Sequence, residues 1–140
     1  MSNGGNGKFI VQTSKSNSGA IINNADGNGY NLSFIRTVDG NSEWSLIGIP
    51  VTDQDIQTFI GNSTAAGLRT KDIGGSTKSA IGYHVTSSNT YDYYNSSGNS
   101  GAFINGKGYI ISPSSSAGTV DVTIDGTAVE TSTQNYVRRS

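Results

Sequence analysis

The chain carries one histidine, His84, and ten acidic residues, of which Glu43 and Glu130 are the only glutamates. A nucleophilic relay would need His84 beside a serine held on a strained elbow, and no G-x-S-x-G occurs. Serine is so abundant that nearness to His84 carries no meaning. In Ile81-Gly82-Tyr83-His84-Val85 the imidazole falls on the face opposite Tyr83 and Val85, the position of a surface or interface histidine on a strand. Paired-carboxylate glycoside chemistry needs two acids fixed across a cleft. Asp53 and Asp55 instead stand at the expected start of a helix, where capping accounts for both, and three of the other six aspartates precede glycine in expected turns. No D-x-[DN]-x-[DN]-G calcium loop is present, and the lack of cysteine removes disulfides, thiolate nucleophiles and Cys-ligated zinc. Gly101-Ala102-Phe103-Ile104-Asn105-Gly106-Lys107-Gly108 nearly spells a phosphate-binding loop. It fails because Gly108 replaces the metal-binding hydroxyl and Tyr109-Ile110-Ile111 reads as a strand, where the mechanism requires a helix N-terminus. The expectation is a protein with no catalytic residue, no metal site and no cofactor.

The aromatic residues hold more promise. Tyr83, Tyr91, Tyr93, Tyr94 and Phe103 crowd one stretch, and strand alternation puts Tyr91 and Tyr93 on one face and Tyr94 on the other. Exposed tyrosines stack on sugar rings or anchor a protein interface; equally, they edge a core with their hydroxyls in water. Tyr91, Tyr93, Tyr94 and Lys107 are therefore candidate interface residues, joined in the tail by Gln134, Tyr136, Arg138 and Arg139. Trp44, Tyr91, Tyr93 and Tyr94 form the candidate carbohydrate platform. Trp44 separates the alternatives: burial makes it core, exposure beside the tyrosines makes it a platform. The pattern around it predicts a buried ring.

These side chains need β-strands to position them. Tyr30, Leu32 and Phe34 alternate with polar residues, as do Val120, Val122 and Ile124, the signature of half-buried strands. The apolar runs Phe9–Val11, Ala20–Ile22, Leu46–Ile49, Ile81–Val85 and Tyr109–Ile111 fit strands covered on both faces. Asp26-Gly27, Asn28-Gly29, Asp39-Gly40, Asn105-Gly106 and Asp125-Gly126 read as hairpin turns. Ile56, Phe59 and Ile60 predict one short helix, capped by Thr52 or Asp53 and stopped by Gly61. Gly61–Ser79 reads as a long loop holding at most one short strand. The sum is an all-β protein, an antiparallel β-sandwich of jelly-roll or immunoglobulin type with about eight to ten strands. Residues 1–7 form a polar leader, 8–130 one domain, and 131–140 an edge strand or tail.

Gly, Ser, Thr and Asn make up about half of the 140 residues, while 33% are hydrophobic and 14% charged. A net charge of −1 excludes charge-driven disorder, and two of the few arginines, Arg138 and Arg139, lie at the extreme end, so no basic nucleic-acid footprint forms. No apolar run is long enough to insert in a membrane as a helix, and the start does not read as a signal peptide.

The order of segments from Lys8 to Gly126 resembles β-rich modules of large surface and secreted proteins of Bacteroidota, of the kind exported by type IX secretion. The resemblance is carried by the opening pair Phe9-Ile10-Val11 and Ala20–Asn24, and by the strand Leu32–Arg36 ending in arginine. It continues through Trp44–Val51 with its Pro50 stop, the short helix Ile56–Phe59, and the aromatic pair Ile81–Tyr94. Phe103–Ile111 is similar to the family's F-x-x-G-[KQ]-G-Y strand entry, and Thr119–Thr127 to its closing T-V-x-F-x-G-T hairpin. The resemblance implies a non-catalytic β-sandwich used as a spacer, adhesive or assembly unit. Read as it stands, the sequence is expected to depart from the family in lacking an export signal before the module and a C-terminal sorting domain after it. A filament subunit or a phage virion subunit fits such a lone copy.

Function is thus expected to be structural: a subunit that self-associates or decorates a particle, at an extracellular, cell-surface or virion location. Its partners are copies of itself or a larger assembly, with contacts from Met1–Gly7 and Thr131–Ser140. The second expectation is a carbohydrate-binding or adhesion module whose partners are surface glycans. Lys107, exposed between Gly106 and Gly108, is expected to guard an edge strand.

Overall fold

The computed structural model describes residues 9–14, 31–40, 43–114 and 116–128. In chain order these contain β1 (Phe9–Thr13), β2 (Asn31–Gly40), β3 (Ser45–Gly48), β4 (Val51–Thr52) and α1 (Ile56–Ala65). There follow β5 (Thr70–Ile73), β6 (Ser76–Val85), β7 (Thr90–Asn95), β8 (Gly108–Ile111) and β9 (Gly118–Ala128). One sheet runs β1-β2-β9-β4; the other runs β3-β8-β6-β5, with β7 also paired to β6. The described residues are therefore mostly β, in two sheets, with one short helix. Pairing is antiparallel except between β1 and β2, which lie parallel. The expected strand at Ala20–Ile22, the turns at Asp26-Gly27 and Asn28-Gly29, the leader, and the tail with Gln134, Tyr136, Arg138 and Arg139 lie outside the described residues.

The longest ladder sets β2 against β9, from Asn31 opposite Thr127 to Gly40 opposite Gly118. On β9, Val120, Val122 and Ile124 are wholly buried, as their spacing predicts. One core joins them to Leu32, Val38 and Val51 of their own sheet, to Ile47, Ile81, Tyr109 and Ile111 of the other, and to Ile56, Phe59 and Ile60 of α1. Phe103 closes this core edge-on to Phe59, at 5.3 Å and 90°. The runs at Phe9–Val11 and Leu46–Ile49 are not covered on both faces. β1 and β3 are edge strands, and Ile10 and Leu46 remain 67% and 73% exposed.

Two expected turns lie within the strands. Asp125-Gly126 is inside β9, and Asp39-Gly40 completes β2. A Cβ on Gly126 would run into the Thr52 carbonyl oxygen and the Val51 side chain; one on Gly40 would meet the Gly118 backbone. Glycine serves close strand approach as readily as it serves a turn, and the dipeptide cannot tell the two apart. Asn105-Gly106 is a turn, with Gly106 at φ +72°, but it closes no hairpin: it leads into β8, which pairs with β3 and β6.

The helix is longer than its spacing predicts and is capped elsewhere. The Thr58 amide donates to Asp55 Oδ1 at 2.7 Å, so Asp55 is the N-cap, while Asp53 occupies a left-handed turn at φ 66°. Gly61 sits inside the helix on its exposed side. Termination belongs to Gly67, at φ +115°. The Leu68 amide donates to the Ser63 carbonyl and that of Gly67 to the Thr64 carbonyl, a Schellman closure. Gln54 anchors the helix start: its buried side chain accepts from the Asp125 amide at 2.6 Å and donates to the Asp55 carbonyl at 3.0 Å.

The expected loop from Gly61 to Ser79 contains a hairpin instead. Gly74 and Gly75, at φ 60° and 81°, turn β5 into β6 as two-residue turns with positive φ do. β5 exposes all of its residues, so it has no hydrophobic alternation to read.

Two glycine substitutions test this account by urea unfolding. Gly126→Ala should destabilise by about 1–3 kcal/mol, because its new methyl meets backbone that cannot retreat. Gly61→Ala, with open space around its Cβ, should stabilise by about 0.5–1 kcal/mol.

Candidate binding groove on the outer sheet face

Strand β6 has two faces with different tasks. Ile81 and Tyr83 turn toward the core, while Ala80, Gly82 and His84 point outward. Gly82 stands opposite Tyr93 of β7 and Ile110 of β8, and Ile110 stands opposite Leu46 of β3. Directly opposed residues share a face, so Leu46, Ile110, Gly82 and Tyr93 form one row across the outside of the five-stranded sheet. Trp44 lies beside this row, two residues ahead of Leu46.

Gly82 makes the arrangement possible. A Cβ there would stand 2.8 Å from Tyr93 Cδ1 and 2.5 Å from the Asp92 carbonyl oxygen, so its absence lets the ring lie down on the strand. The pairing also slips, with Lys78–Gly82 of β6 lying across from the shorter stretch Tyr93–Asn95. Trp44 stands beside Tyr93 with its ring centroid 5.6 Å from that of Tyr93, tilted by 41°. The Arg69 guanidinium rests 5.6 Å from the Trp44 centroid, within cation–π range. Together with Lys71, Lys78 and Ala80 these side chains line an open groove of about 340 Å³. Trp44 is 45% exposed. The expected burial of this ring is therefore overturned: β3 lies at the edge of its sheet, and among the described residues the side of it that carries Trp44 and Leu46 is left exposed.

The inner face holds the remaining aromatics. Tyr94 packs on Tyr83 at 5.5 Å and edge-on to Phe103 at 5.6 Å, and Phe103 meets Tyr109 at 4.9 Å. The Tyr109 hydroxyl accepts from the Ile104 amide at 3.0 Å. Tyr94 thus leaves the candidate platform and candidate interface to join the core. Lys107 does not guard an edge, since β8 lies between β3 and β6. Its ammonium sits 4.0 Å over the Tyr83 ring, capping the aromatic cluster. Tyr91, 50% exposed, shares the outward side with Tyr93 but meets His84 edge-on at 5.3 Å, away from the groove lining. His84 is exposed, with Nε2 3.2 Å from Asn89 Oδ1.

Among the expected platform residues, then, the fold brings Trp44 and Tyr93 together and sends Tyr91 and Tyr94 elsewhere. The groove adds Arg69, Lys71 and Lys78, which sequence reasoning missed. Recognising Gly74-Gly75 as a hairpin turn would have set Lys71 against Lys78 and exposed the cluster. Among the described residues no helix is long and apolar enough to cross a membrane, and no group of three His, Asp or Glu gathers to hold a metal ion. No protein family, curated protein or solved structure matches the chain.

Tyr94 supplies a pH prediction. Burial, reinforced by Tyr109, holds its hydroxyl well above the ordinary tyrosine value of 10.0, so the folded state keeps it protonated. The unfolded chain ionises that group once pH passes about 10. Stability from this site is complete below that pH and is lost as pH rises above it. Tyr94→Phe should flatten the alkaline part of a stability profile measured by denaturant unfolding at stepped pH.

Proposed function

We propose that the chain is a non-enzymatic surface module that binds carbohydrate, and acts in adhesion, through the Trp44–Tyr93 groove. The observation that carries this reading is the exposure of Trp44 beside Tyr93 in a groove that Ala80 also lines. Partly exposed rings offer a wide amphipathic face whose position costs little conformational entropy, and the apolar C–H faces of sugars match such a surface. Polar groups at the rim of an aromatic floor then fix orientation. The two sheets are read as a β-sandwich of jelly-roll or immunoglobulin type. The resemblance to Bacteroidota surface modules supports an extracellular, cell-surface or virion setting.

A second reading, a self-associating filament or particle-decorating subunit, is favoured by a separate observation. Ile10 and Leu46 expose large apolar side chains on edge strands, where further strands or copies can dock. Partners are then copies of the chain or a larger assembly. Light scattering distinguishes it: a concentration-dependent oligomer dispersed by Leu46→Lys supports assembly, and a strict monomer opposes it.

For the carbohydrate reading, a glycan array should show binding that Trp44→Ala and Tyr93→Ala each abolish, and a flat array would end it. Trp44→Ala should cost only about 1 kcal/mol in thermal unfolding, below the roughly 3–5 kcal/mol of a buried ring, so lost binding would not be lost folding.

A further inference from the structure

The groove holds an unusual concentration of positive charge. The described residues include five lysines and arginines, and Arg69, Lys71 and Lys78 all line this one site. Lys71 and Lys78 stand directly opposite each other across β5 and β6. Like charges in that position destabilise a hairpin. The acid of the same hairpin does not relieve them, because Asp72 lies on the next register pair and accepts from Thr77 Oγ1 at 2.6 Å. Lys78 Nζ donates to the Tyr93 carbonyl at 3.3 Å, which ties the ammonium to the groove wall. Arg69 rests its guanidinium on Trp44, an arrangement that leaves the N–H fork at the rim. Among the described residues no carboxylate lines the groove. The whole chain is slightly acidic, so this is a local feature and not a general basic surface.

We propose that the groove selects acidic saccharides, with uronate rings stacked on the Trp44–Tyr93 wall and their carboxylates held by Arg69, Lys71 and Lys78. The inference rests on the reading of the groove as a carbohydrate seat and adds the class of sugar. A guanidinium fork matches a carboxylate in two parallel hydrogen bonds, while the two lysines supply point charges along the rim. A bound anion would also relieve the Lys71–Lys78 repulsion, so ligand charge and protein charge favour the same complex. Single-stranded nucleic acid is the other polymer that combines stacking faces with anionic charge. It is disfavoured because the cations form one short cluster and no track along the sheet.

The test is calorimetric titration of the full chain with galacturonate, glucuronate and mannuronate oligosaccharides, each paired with its neutral methyl ester. Ester and acid share the ring face and differ in charge. At least one acid should bind, its ester about 10-fold or more weakly, with affinity for the acid falling as salt rises. Arg69→Gln should remove most of that preference while unfolding at the wild-type denaturant concentration. Lys71→Gln, which leaves the Arg69–Trp44 contact intact, should reduce it in part. Esters bound as tightly as acids, with Arg69→Gln without effect, would overturn the charge selection and leave the carbohydrate reading standing. No binding of any acid, ester or array glycan would overturn both. Tighter binding of a single-stranded oligonucleotide than of every uronate would overturn the proposal in favour of nucleic acid.

Discussion

Water is excluded from one face of β9, where Val120, Val122 and Ile124 have no exposed surface, and the remaining elements are arranged around that exclusion. β2 pairs with this strand along nearly its whole length, from Gly118 to Thr127, while β4 pairs only with its end at Thr127 and Ala128. Helix α1 contributes Ile56, Phe59 and Ile60 to the same core, and the second sheet adds Ile81, Tyr109 and Ile111. The helix is held in place by polar as well as apolar contacts. Gln54 bonds β9 and the first turn together, and the Phe103 amide donates to the Gln54 carbonyl at 3.0 Å. A chain with few large apolar residues can sustain one such core when glycine at Gly40 and Gly126 lets backbones approach closely.

The same sheet that closes the core supplies the groove on its other side. Inward residues of β6 and β7 interlock with Phe103 and Tyr109 and hold the strands rigid. Two outward positions on β6, Ala80 and Gly82, are small, and the Tyr93 ring of β7 lies against Gly82. The groove therefore lies on the outer side of strands whose inner side carries this aromatic cluster, with exposed β5 as one of its walls. The proposed carbohydrate binding draws on that geometry. The site has stacking faces and cations, but no paired acids and no histidine among its lining residues.

Half the sequence being Gly, Ser, Thr and Asn has a twofold consequence. These residues bring hydrogen-bonding capacity without charge, so most of the surface is neutral and does not repel copies or partners. Against such a background three cations in one groove form a strong local contrast. Ile10 and Leu46 are exposed apolar positions on strands at the edges of the two described sheets, and Leu46 shares its face with Tyr93.

Periodicity alone was enough to show that the chain is β-rich, that Val120, Val122 and Ile124 form a buried face, that Tyr93 and Tyr94 diverge, and that a short helix begins near Ile56. Those features depend on side-chain spacing within one element, and spacing is written in the chain. The edge position of β3, the internal place of β8 and the parallel alignment of β1 with β2 depend on which strands become neighbours. So do the exposure of Trp44, the turn of Tyr94 into the core and the gathering of Arg69, Lys71 and Lys78. A glycine beside Asp reads the same whether it makes a turn or admits a neighbouring strand, and an all-exposed strand such as β5 leaves no hydrophobic pattern. Local order was legible because its causes are local, whereas the groove exists only where separate strands meet.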